Sequence, residues 1–531
     1  MEASKPPDGI AELISLPCLG HKRRVSTPVA VLSAAEQEFE RRRQLFGLIA
    51  GPLLFAILLF AAPAGLEPAA QRLLAVVALV VIFWVTEAIP LAATALMGPA
   101  LCVVLGVASA KAVFQPFAHP LIFVYLGGFL LAQGMLEHGL NRRVAYRILG
   151  SNFVAKGTTR LLLGFGFLAA LLSMWVSNTA TAAILFPIGV ATLTQMEEAG
   201  EGKGDARAMA RFGGAIMLAI AYGASIGGIA TPVGTPPNLV AKGIFETQLD
   251  VHISFFQWMA FGVPLSALML GFMVWKFQRQ FAGASLNVGV GREVIRELAA
   301  KLGPMSRAER NVLLAFGTTV TMWLLPGFMV VIGAGDTALG RWLDERLPES
   351  VAAVLGASLL FLLPINFARR EFTLTWRSAN RIDWGTILLF GGGLSIGDLM
   401  FTTGLAGWIG DGAAGLFDTR TTLTLVMLFA VVAMAISEMT SNLATANMLL
   451  PVAIAVSRAA DVDPLLPALA ACLGCSMAFM LPVSTPPNAI VYGSGRVSLP
   501  QMMRSGVTMN LAGFVVIVLI VMLWAPVVLG R

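Results

Sequence analysis

The sequence is a succession of long apolar runs separated by short polar segments. Inside a bilayer every backbone N–H and C=O must be paired within the protein, so only helices and closed barrels can cross it. The runs are long and continuous, unlike the alternating segments of about ten residues that build barrels. Because 57% of the residues are hydrophobic and 12% charged, against roughly 45–50% and 25% in soluble proteins, we predict an all-α polytopic membrane protein.

Eleven runs are long enough to be spans, and two further segments are ambiguous. The runs cover residues 46–62, 70–88, 91–108, 118–139, 212–248, 255–275, 311–333, 351–366, 385–404, 464–493 and 507–528. Segments 160–195 and 421–458 either cross the membrane or turn back inside it. If both turn back, 28 of the 36 Lys and Arg residues fall on one side. Because basic residues concentrate in cytoplasmic segments, we predict a cytoplasmic N-terminus, a C-terminus outside and two re-entrant hairpins.

The two halves of the chain repeat the same motifs in the same order. The glycine-rich run 122–140 aligns with 387–405, SNTATAAILFP with SNLATANMLLP, and PVGTPPN with PVSTPPN. Segment 141–160 carries five basic residues and no acidic one, whereas its counterpart, 406–420, carries two acidic residues and one basic. One therefore faces inwards and the other outwards, so we predict inverted repeats. In secondary transporters this arrangement places substrate and coupling ions at the midplane, between the repeats.

Thr-Pro-Pro-Asn occurs twice inside apolar runs, at Thr235–Asn238 and Thr485–Asn488. Two consecutive prolines remove backbone donors and push the preceding residue out of the α region, so each run breaks into two half-helices. Such a break is tolerated at membrane depth only where it is buried in protein or lines a wet cavity. We expect the N-terminus of the second half-helix to face an anion, and the last carbonyls of the first half-helix to be left unpaired for a cation.

Ser-Asn pairs form the second duplicated break, at Ser177–Thr179 and Ser441–Leu443. Ser and Asn favour turns and N-caps, so each pair suits the tip of a hairpin. Their side chains supply neutral oxygen ligands for a hard cation and donors for a carboxylate. Ser173 and Ser437 lie one turn earlier on the same helix face and can add a ligand. The paired tips and paired breaks together predict a site for sodium and a carboxylate.

With these motifs the chain resembles the divalent anion/sodium symporter (DASS) family, the INDY-type sodium-coupled dicarboxylate transporters, from about residue 45 to the end. The matching motifs are WVTEAIP at Trp84–Pro90, FGGG at Phe390–Gly393, both SN tips and both TPPN breaks. The resemblance implies sodium-coupled import of C4 dicarboxylates such as succinate, malate and fumarate by an elevator mechanism. It also implies a homodimer, a scaffold domain, a mobile transport domain and two re-entrant hairpins.

The resemblance further implies the ligands, carried over motif by motif. The first sodium ion is implied to bind Ser173, Ser177, Asn178 and the Gly234 backbone, and the second Ser437, Thr440, Asn442 and the Ser484 backbone. Substrate carboxylates are implied to meet Ser177, Asn178, Thr179, Thr235, Pro236, Ser441, Asn442, Thr485 and Pro486. The family's usual SNT is SNL in the second half, so Leu443 cannot donate a hydroxyl, and this leaves the preferred anion open.

Several other functions are compatible with part of these patterns. Within the family, sodium-independent dicarboxylate exchange, citrate transport and sulfate transport remain open. Gly223–Gly227 and Gly393–Gly397 match the G-x-S-x-G motif of serine hydrolases, but that motif needs a strand, a turn and a helix with a His partner. Both copies lie inside apolar helical runs, so we do not expect an enzyme. A channel is disfavoured because the motifs form discrete sites and not a continuous lined pore.

The same patterns divide the chain into four regions. We expect residues 1–44 to form a cytoplasmic tail, 45–275 the first span and first repeat, 276–310 a basic cytoplasmic connector, and 311–531 the second repeat. The first apolar run begins too far along the chain for a cleaved signal peptide. Cytoplasmic segments hold most of the basic residues behind the net charge of +6. The expected partners are therefore sodium, a dicarboxylate and the lipid bilayer, with no nucleic acid, and the compact loops favour a bacterial inner membrane.

Overall fold

Helices make up most of the chain that the computed structural model describes, which is residues 34–61, 63, 65–199, 206–280, 289–414 and 421–530. The helices of the first half are α1 Ala34–Phe60, α2 Pro68–Thr86, α3 Leu91–Val104, α4 Ala110–Phe114, α5 Pro120–Glu137, α6 Leu140–Leu149, α7 Thr158–Ser173, α8 Asn178–Glu198, α9 Ala206–Ile229, α10 Pro236–Leu249 and α11 Phe255–Gln278. Short 3-10 turns at Gln115–Ala118 and Val154–Lys156 precede α5 and α7.

The second half repeats this layout after an amphipathic connector helix. Its helices are α12 Gly289–Lys301, α13 Arg307–Val331, α14 Ala338–Arg346, α15 Glu349–Leu362, α16 Trp376–Ala379, α17 Trp384–Thr402, α18 Leu405–Ala414, α19 Thr422–Ser437, α20 Asn442–Ala459, α21 Leu465–Cys475, α22 Pro486–Tyr492, α23 Leu499–Leu519 and α24 Ala525–Leu529. A π-helical turn, Ile520–Trp524, joins the last two. Strands β1 Pro364–Asn366 and β2 Glu371–Phe372 pair antiparallel.

Nine helices in the described ranges are long and apolar enough to cross a membrane, and five shorter apolar helices accompany them. Each predicted span coincides with one helix or with a broken pair of helices, and the predicted all-α fold is confirmed. The span predicted over 351–366 is too long. Helix α15 ends at Leu362 because Pro364 favours an extended conformation for the residue before it, and residues 364–366 form β1.

The first helix also begins earlier than the apolar run. Helix α1 starts at Ala34, so residues 34–44 of the expected tail are helical. Ion pairs between Arg42 and Glu38 at 2.8 Å, and between Arg43 and Glu40 at 2.7 Å, support this polar first part. The rest of the expected tail, residues 1–33, lies outside the described residues, as does 281–288 of the expected connector.

Two glycines allow a helix of one half of the chain to come into backbone contact with a helix of the other half, and we call the two resulting pairs the interlocked pairs. A Cβ on Gly127 in α5 would stand 2.5 Å from the carbonyl oxygen of Ala353 in α15, and a Cβ on Gly392 in α17 would collide in the same way with the backbone of Ala95 in α3. Gly127 and Gly392 occupy aligned positions of the two repeats. The pairs α5–α15 and α3–α17 are therefore equivalent, and each contains one helix from each half.

The remaining long helices surround the duplicated motifs. Helix α7 packs along α9, and the equivalent α19 packs along α21. Helix α10 contacts α20 and α21, whereas α22 contacts α8 and α9, so the motifs of one repeat lie against those of the other. Helix α9 is buried along its whole apolar length, while α1 is largely exposed. The duplicated motifs are thus in the interior of the helical bundle.

Candidate functional site

Each Ser-Asn pair forms the turn of a helical hairpin. Hairpin 1 consists of α7 and α8, and hairpin 2 consists of α19 and α20. Ser177 and Ser441 are the N-cap residues of α8 and α20, and Asn178 and Asn442 are the first helical residues. The Ser177 hydroxyl accepts the N–H of Ala180 at 3.3 Å. Ser441 makes no such side-chain contact. The predicted position of both pairs at the start of a hairpin's second helix is therefore confirmed, and side-chain capping is confirmed for Ser177 alone.

Both predicted helix breaks are present. Helix α9 ends at Ile229 and α10 begins at Pro236, so residues 230–235 form the first break. Helix α21 ends at Cys475 and α22 begins at Pro486, so residues 476–485 form the second break. In both cases the first proline is the first residue of the new helix, where its missing N–H costs no helical hydrogen bond.

The asparagine of each TPPN motif holds its break together. Its side-chain amide donates to backbone carbonyl oxygens of the break and, for Asn238, also to those of Gly228 and Ile229 at the end of α9. The expectation that the last carbonyls of the first half-helix are unpaired is therefore wrong for these two. The two asparagines use aligned acceptors, which makes the breaks equivalent. The acceptors are the carbonyl oxygens of Gly228 (3.1 Å), Ile229 (3.4 Å) and Thr231 (2.7 Å) for Asn238, and of Ala478 (3.3 Å) and Leu481 (3.1 Å) for Asn488.

Three of the residues predicted to bind the first sodium ion meet beside the first break. The Ser173 hydroxyl lies 2.6 Å from Asn178 Oδ1. A Cβ on Gly228 would stand 2.6 Å from the same Asn178 oxygen and 3.2 Å from the carbonyl oxygen of Gly234. The Asn178 and Gly234 oxygens therefore both approach residue 228 so closely that only a glycine fits there. Such oxygens are the ligands that a hard cation prefers.

Two of the residues predicted to bind the second sodium ion meet in the same way. The Ser437 hydroxyl lies 2.7 Å from Asn442 Oδ1 and 2.5 Å from the carbonyl oxygen of Cys475, the last residue of α21. This repeats the Ser173–Asn178 contact of the first half. The hairpin tip supplies oxygens in both repeats, together with Gly234 of the break in the first repeat and Cys475 at the end of a half-helix in the second.

The other two members of the second set have their hydroxyls engaged outside the oxygen cluster. The Thr440 hydroxyl donates to the carbonyl oxygen of Trp84 at 3.2 Å, and the Ser484 hydroxyl donates to Glu438 at 2.6 Å. Trp84 belongs to the WVTEAIP motif at the end of α2, so this motif supports the tip of hairpin 2.

Glu438 stands beside the second SN tip in the sequence, where a carboxylate can tune the second sodium site or make a structural hydrogen bond or ion pair, so it is not among the predicted ligands. It is buried next to the tip of hairpin 2, with 6% of its surface exposed, and its carboxylate accepts hydrogen bonds from the backbone of the second break. The available signal was a carboxylate inside an apolar run, which is costly and usually functional or paired. The donors are the N–H groups of Phe479 (2.8 Å), Met480 (3.0 Å) and Leu481 (3.3 Å), the Ser484 hydroxyl (2.6 Å) and the Asn510 amide (2.7 Å).

The residues predicted to meet the substrate differ in their access to solvent. Ser177, Thr179 and Pro486 are exposed, whereas Asn178, Pro236, Ser441 and Asn442 are partly buried and Thr235 and Thr485 are buried. The Thr485 hydroxyl is buried with no hydrogen-bond partner among the described residues. A buried donor without a partner is costly, so this hydroxyl is a candidate to bind a substrate oxygen.

The rival hydrolase motif does not form a nucleophile elbow. Ser225 lies inside α9 and Ser395 inside α17, where the Ser395 hydroxyl donates to the carbonyl oxygen of Val113 at 2.7 Å. Neither is at a strand-to-helix turn, which that chemistry requires. His119 and His252 contact Glu246 instead, at 3.7 and 3.0 Å.

Two hairpin tips that meet two broken helices inside an inverted repeat of apolar helices define a multi-pass membrane transporter of the secondary active class. The family model described as "Sodium:sulfate symporter transmembrane region" matches residues 43–530. The chain therefore belongs to the sodium:sulfate symporter family, also called the divalent anion/sodium symporter family, and the resemblance seen in its motifs is confirmed. The family consists of transporters, which also confirms that the chain is not an enzyme.

Curated relatives and solved structures agree with this assignment. The chain is 37% identical to "Sodium-dependent dicarboxylate transporter SdcS" of Staphylococcus saprophyticus and 35% identical to the protein of that name from Staphylococcus aureus strain USA300, covering 92% of each chain in both cases. The structure is similar to the YdaH transporter of Alcanivorax borkumensis (TM-score 0.53, 14% identity, 92% and 97% of the two chains). It is also similar to MtrF of Neisseria gonorrhoeae, with a TM-score of 0.52 and 11% sequence identity over 88% of this chain and 96% of that one. At these low identities the two structures support the fold alone.

Proposed function

We propose that this protein couples the uptake of C4 dicarboxylates, such as succinate, malate or fumarate, to the entry of sodium ions. The observation that carries the proposal is the pair of oxygen clusters, Ser173 with Asn178 and Ser437 with Asn442, each beside a broken helix. Neutral oxygen clusters at two equivalent places suit two hard monovalent cations. The names of the relatives at 37% and 35% identity support a dicarboxylate as the co-transported anion.

Sodium binds first in this proposal and makes the dicarboxylate site. The segments 177–179, 232–238, 441–443 and 482–488 contain no Lys or Arg, so a dianion meets only neutral donors and helix N-termini there. Helix N-termini attract an anion weakly compared with a full charge. Bound sodium supplies the missing positive charge and orders the tips, which couples the two fluxes.

We assign the ligands as the motifs and the contacts indicate. The first ion uses the Ser173, Ser177 and Asn178 side chains with the Gly234 carbonyl, and the second uses Ser437 and Asn442 with the backbone of Thr440 and Ser484. The carboxylates of the substrate bind the hairpin tips and the starts of α10 and α22. The residues for this role are Ser177, Asn178, Thr179, Thr235, Pro236, Ser441, Asn442, Thr485 and Pro486.

Transport in this proposal moves one group of helices against another. The site-bearing helices, α7–α10 and α19–α22, pack on one another, whereas the flanking helices α3, α5, α15 and α17 form the two interlocked pairs. An elevator mechanism carries the first group across while the second stays in place as a scaffold. The protein is proposed to work as a homodimer in the bacterial inner membrane, with its N-terminus inside and its C-terminus outside.

Sulfate transport is the second candidate function. It is favoured by the description of the matching family model, which names sulfate. Leu443, which replaces the threonine usual at the second tip, leaves the preferred anion open. Citrate transport and sodium-independent dicarboxylate exchange are the remaining alternatives within the family. These three functions and sodium-coupled dicarboxylate uptake would use the same site and differ in the anion or in the role of sodium.

Uptake into proteoliposomes separates these functions. Radiolabelled succinate should accumulate only with an inward sodium gradient, and unlabelled citrate and sulfate should compete weakly. Entry that requires preloaded dicarboxylate and ignores sodium would make the protein an exchanger. Competition by sulfate together with an absence of succinate uptake would move the assignment to the second candidate.

A further inference from the structure

A buried ion pair connects a site-bearing helix to a flanking helix. Lys242 lies in α10, two turns after the first break, and its side chain is fully buried. Its ammonium nitrogen is 2.6 Å from a carboxylate oxygen of Glu349, the first residue of α15. The other Glu349 oxygen accepts the N–H of Phe255 at 2.5 Å, and its backbone carbonyl accepts the indole N–H of Trp323 at 3.0 Å.

Glu349 is therefore also held by groups other than Lys242, namely Phe255 at the start of α11 and the N-terminus of its own helix. The Phe255 amide and the N-terminus of α15 both stabilise its negative charge. Lys242 depends on Glu349 for its counter-charge, because a buried ammonium without one is strongly unfavourable. If α10 shifted along α15, Lys242 would have to find water or another acceptor. The pair thus opposes any movement of the site-bearing helices away from the arrangement seen here.

Folding of a repeat does not require this ion pair. The position aligned with Lys242 in the second TPPN segment is Tyr492, and the position aligned with Glu349 is Leu91, at the start of α3. The second repeat thus forms the same helices without charges at these places. A feature present in only one of two equivalent repeats is more readily explained by the transport cycle than by folding of the repeat.

We propose that Lys242 and Glu349 form a latch between α10 and α15 that holds the site-bearing helices in the present arrangement and opens in each transport cycle. The proposal rests on the proposed function in one respect, since it takes these helices to move against the flanking ones. The two residues position the site and do not bind sodium or substrate. They are distinct from the oxygen clusters at the hairpin tips.

Distance measurements by double electron–electron resonance test the latch directly. Spin labels are placed at Thr247→Cys on the exposed face of α10 and at Glu345→Cys just before α15, with Cys18, Cys102, Cys472 and Cys475 replaced by alanine. Labelled protein is diluted with unlabelled protein so that each distance lies within one chain. In sodium and succinate we expect a short distance that matches this structure together with a longer one.

Removing the ion pair should depopulate the short distance. Lys242→Met/Glu349→Gln keeps the side-chain volumes and an acceptor for Phe255, and should lower the ratio of short to long distance at least threefold. The control, Glu38→Gln/Arg42→Gln, neutralises an exposed pair within α1 and should leave the ratio unchanged. If this double variant does not yield folded protein, Lys242→Gln/Glu349→Gln tests the same shift, because it places two neutral amides at the contact and leaves no buried charge without a partner.

Unchanged distances in the latch variant, or a wild type that lacks the short distance, would overturn the proposal. Succinate uptake by the unlabelled wild type is measured in parallel. A failure there would reject the proposed function while the distances still report on the latch, and normal uptake with unshifted distances would reject the latch alone.

Discussion

Glu438 places a fixed negative charge beside only one of the two oxygen clusters. The aligned residue of hairpin 1 is Met174, whose backbone carbonyl accepts the Thr231 hydroxyl. In hairpin 2 the corresponding residue of the break, Leu481, donates its N–H to the Glu438 carboxylate instead. The first break is thus tied to its hairpin by a neutral contact, and the second by a carboxylate that can also attract a cation.

Replacing this carboxylate should weaken sodium binding more than it weakens the fold. In Glu438→Gln the shape is kept but the charge is lost, and we expect the half-saturating sodium concentration for succinate uptake to rise about tenfold, equivalent to about 1.4 kcal/mol. Sodium titrations of uptake measure this. The matched control is Glu137→Gln, which removes a carboxylate that accepts the Ser378 hydroxyl away from both breaks. An unchanged sodium dependence in Glu438→Gln would rule out its role in the second site.

The two tip asparagines should be equally important despite this asymmetry. Asn178→Ala and Asn442→Ala each remove a side-chain oxygen from one cluster, so we expect each to reduce sodium-driven uptake at least tenfold. Initial rates in proteoliposomes measure the effect, with Asn366→Ala in β1 as the same substitution far from the site. Monodisperse protein on size exclusion shows that the variants still fold. Wild-type rates in both tip variants would contradict the assigned ligands.

At the level of residues, the sequence predicted the positions that are repeated in it. The Ser-Asn tips and both breaks appear where the repeated motifs place them. The sequence did not predict that the Asn238 amide donates hydrogen bonds across the break, because the acceptor carbonyls come near it only when the helix is broken. Glu438 was underestimated for the same reason, since its acceptor role depends on Asn510, which is 72 positions away.

Two helix pairs of the flanking part are in close backbone contact. At the α5–α15 crossing the neighbour of Gly127 is backbone, which cannot move aside as a flexible side chain would. The protein interior is close-packed, so adding even one methyl group at such a contact forces the helices apart. Helices in membranes commonly approach at small residues for this reason.

A single methyl group should therefore destabilise the flanking part. We expect Gly127→Ala to lower the free energy of unfolding by about 1–3 kcal/mol, the usual cost of overpacking. Gly317→Ala is the matched control in α13, where a Cβ would meet nothing within 4 Å, and it should be neutral or stabilising by roughly 0.5–1 kcal/mol. Thermal unfolding in detergent compares the two. A Gly127→Ala protein as stable as the control would show that the helices adjust freely.

At the level of elements, hydropathy gave the existence of the spans and proline gave their breaks. It misplaced several ends, among them the end of α3 and the starts of α9 and α23, and two of the misplaced ends have identifiable reasons. The apolar run did not show that Pro364 ends α15 and starts β1. It also could not show that charged residues before Leu45 continue α1, because paired charges four residues apart stabilise a helix without adding hydrophobicity.

For the molecule as a whole, sodium should act as a stabilising ligand that precedes the substrate. A ligand that binds only the folded state at 100 times its dissociation constant adds about 2.7 kcal/mol to the free energy of unfolding. We expect sodium to raise the unfolding temperature relative to potassium or choline, and succinate to raise it further only when sodium is present. Thermal unfolding in sodium and in potassium, each with and without succinate, measures both effects, and choline can replace potassium. Stabilisation by succinate in potassium alone would contradict the binding order.

At this scale the inverted repeat could be predicted, because duplicated motifs and basic residues are both visible in a sequence. The pairing of α5 with α15 and of α3 with α17 could not be predicted. Nothing in the order of the motifs says that the helices of one repeat pack against those of the other, because that depends on how two complementary glycine and alanine surfaces meet.

The interlocked pairs bear on how the chain is made. Gly127 leaves the ribosome more than two hundred residues before Ala353, its contact in α15. At roughly 5–20 residues per second, the glycine face of α5 enters the membrane and waits on the order of ten seconds or longer for its neighbour. During that interval lipid or an insertion factor must cover it. The two halves of this chain are therefore partners in assembly, and neither is a finished domain before the other has been synthesised.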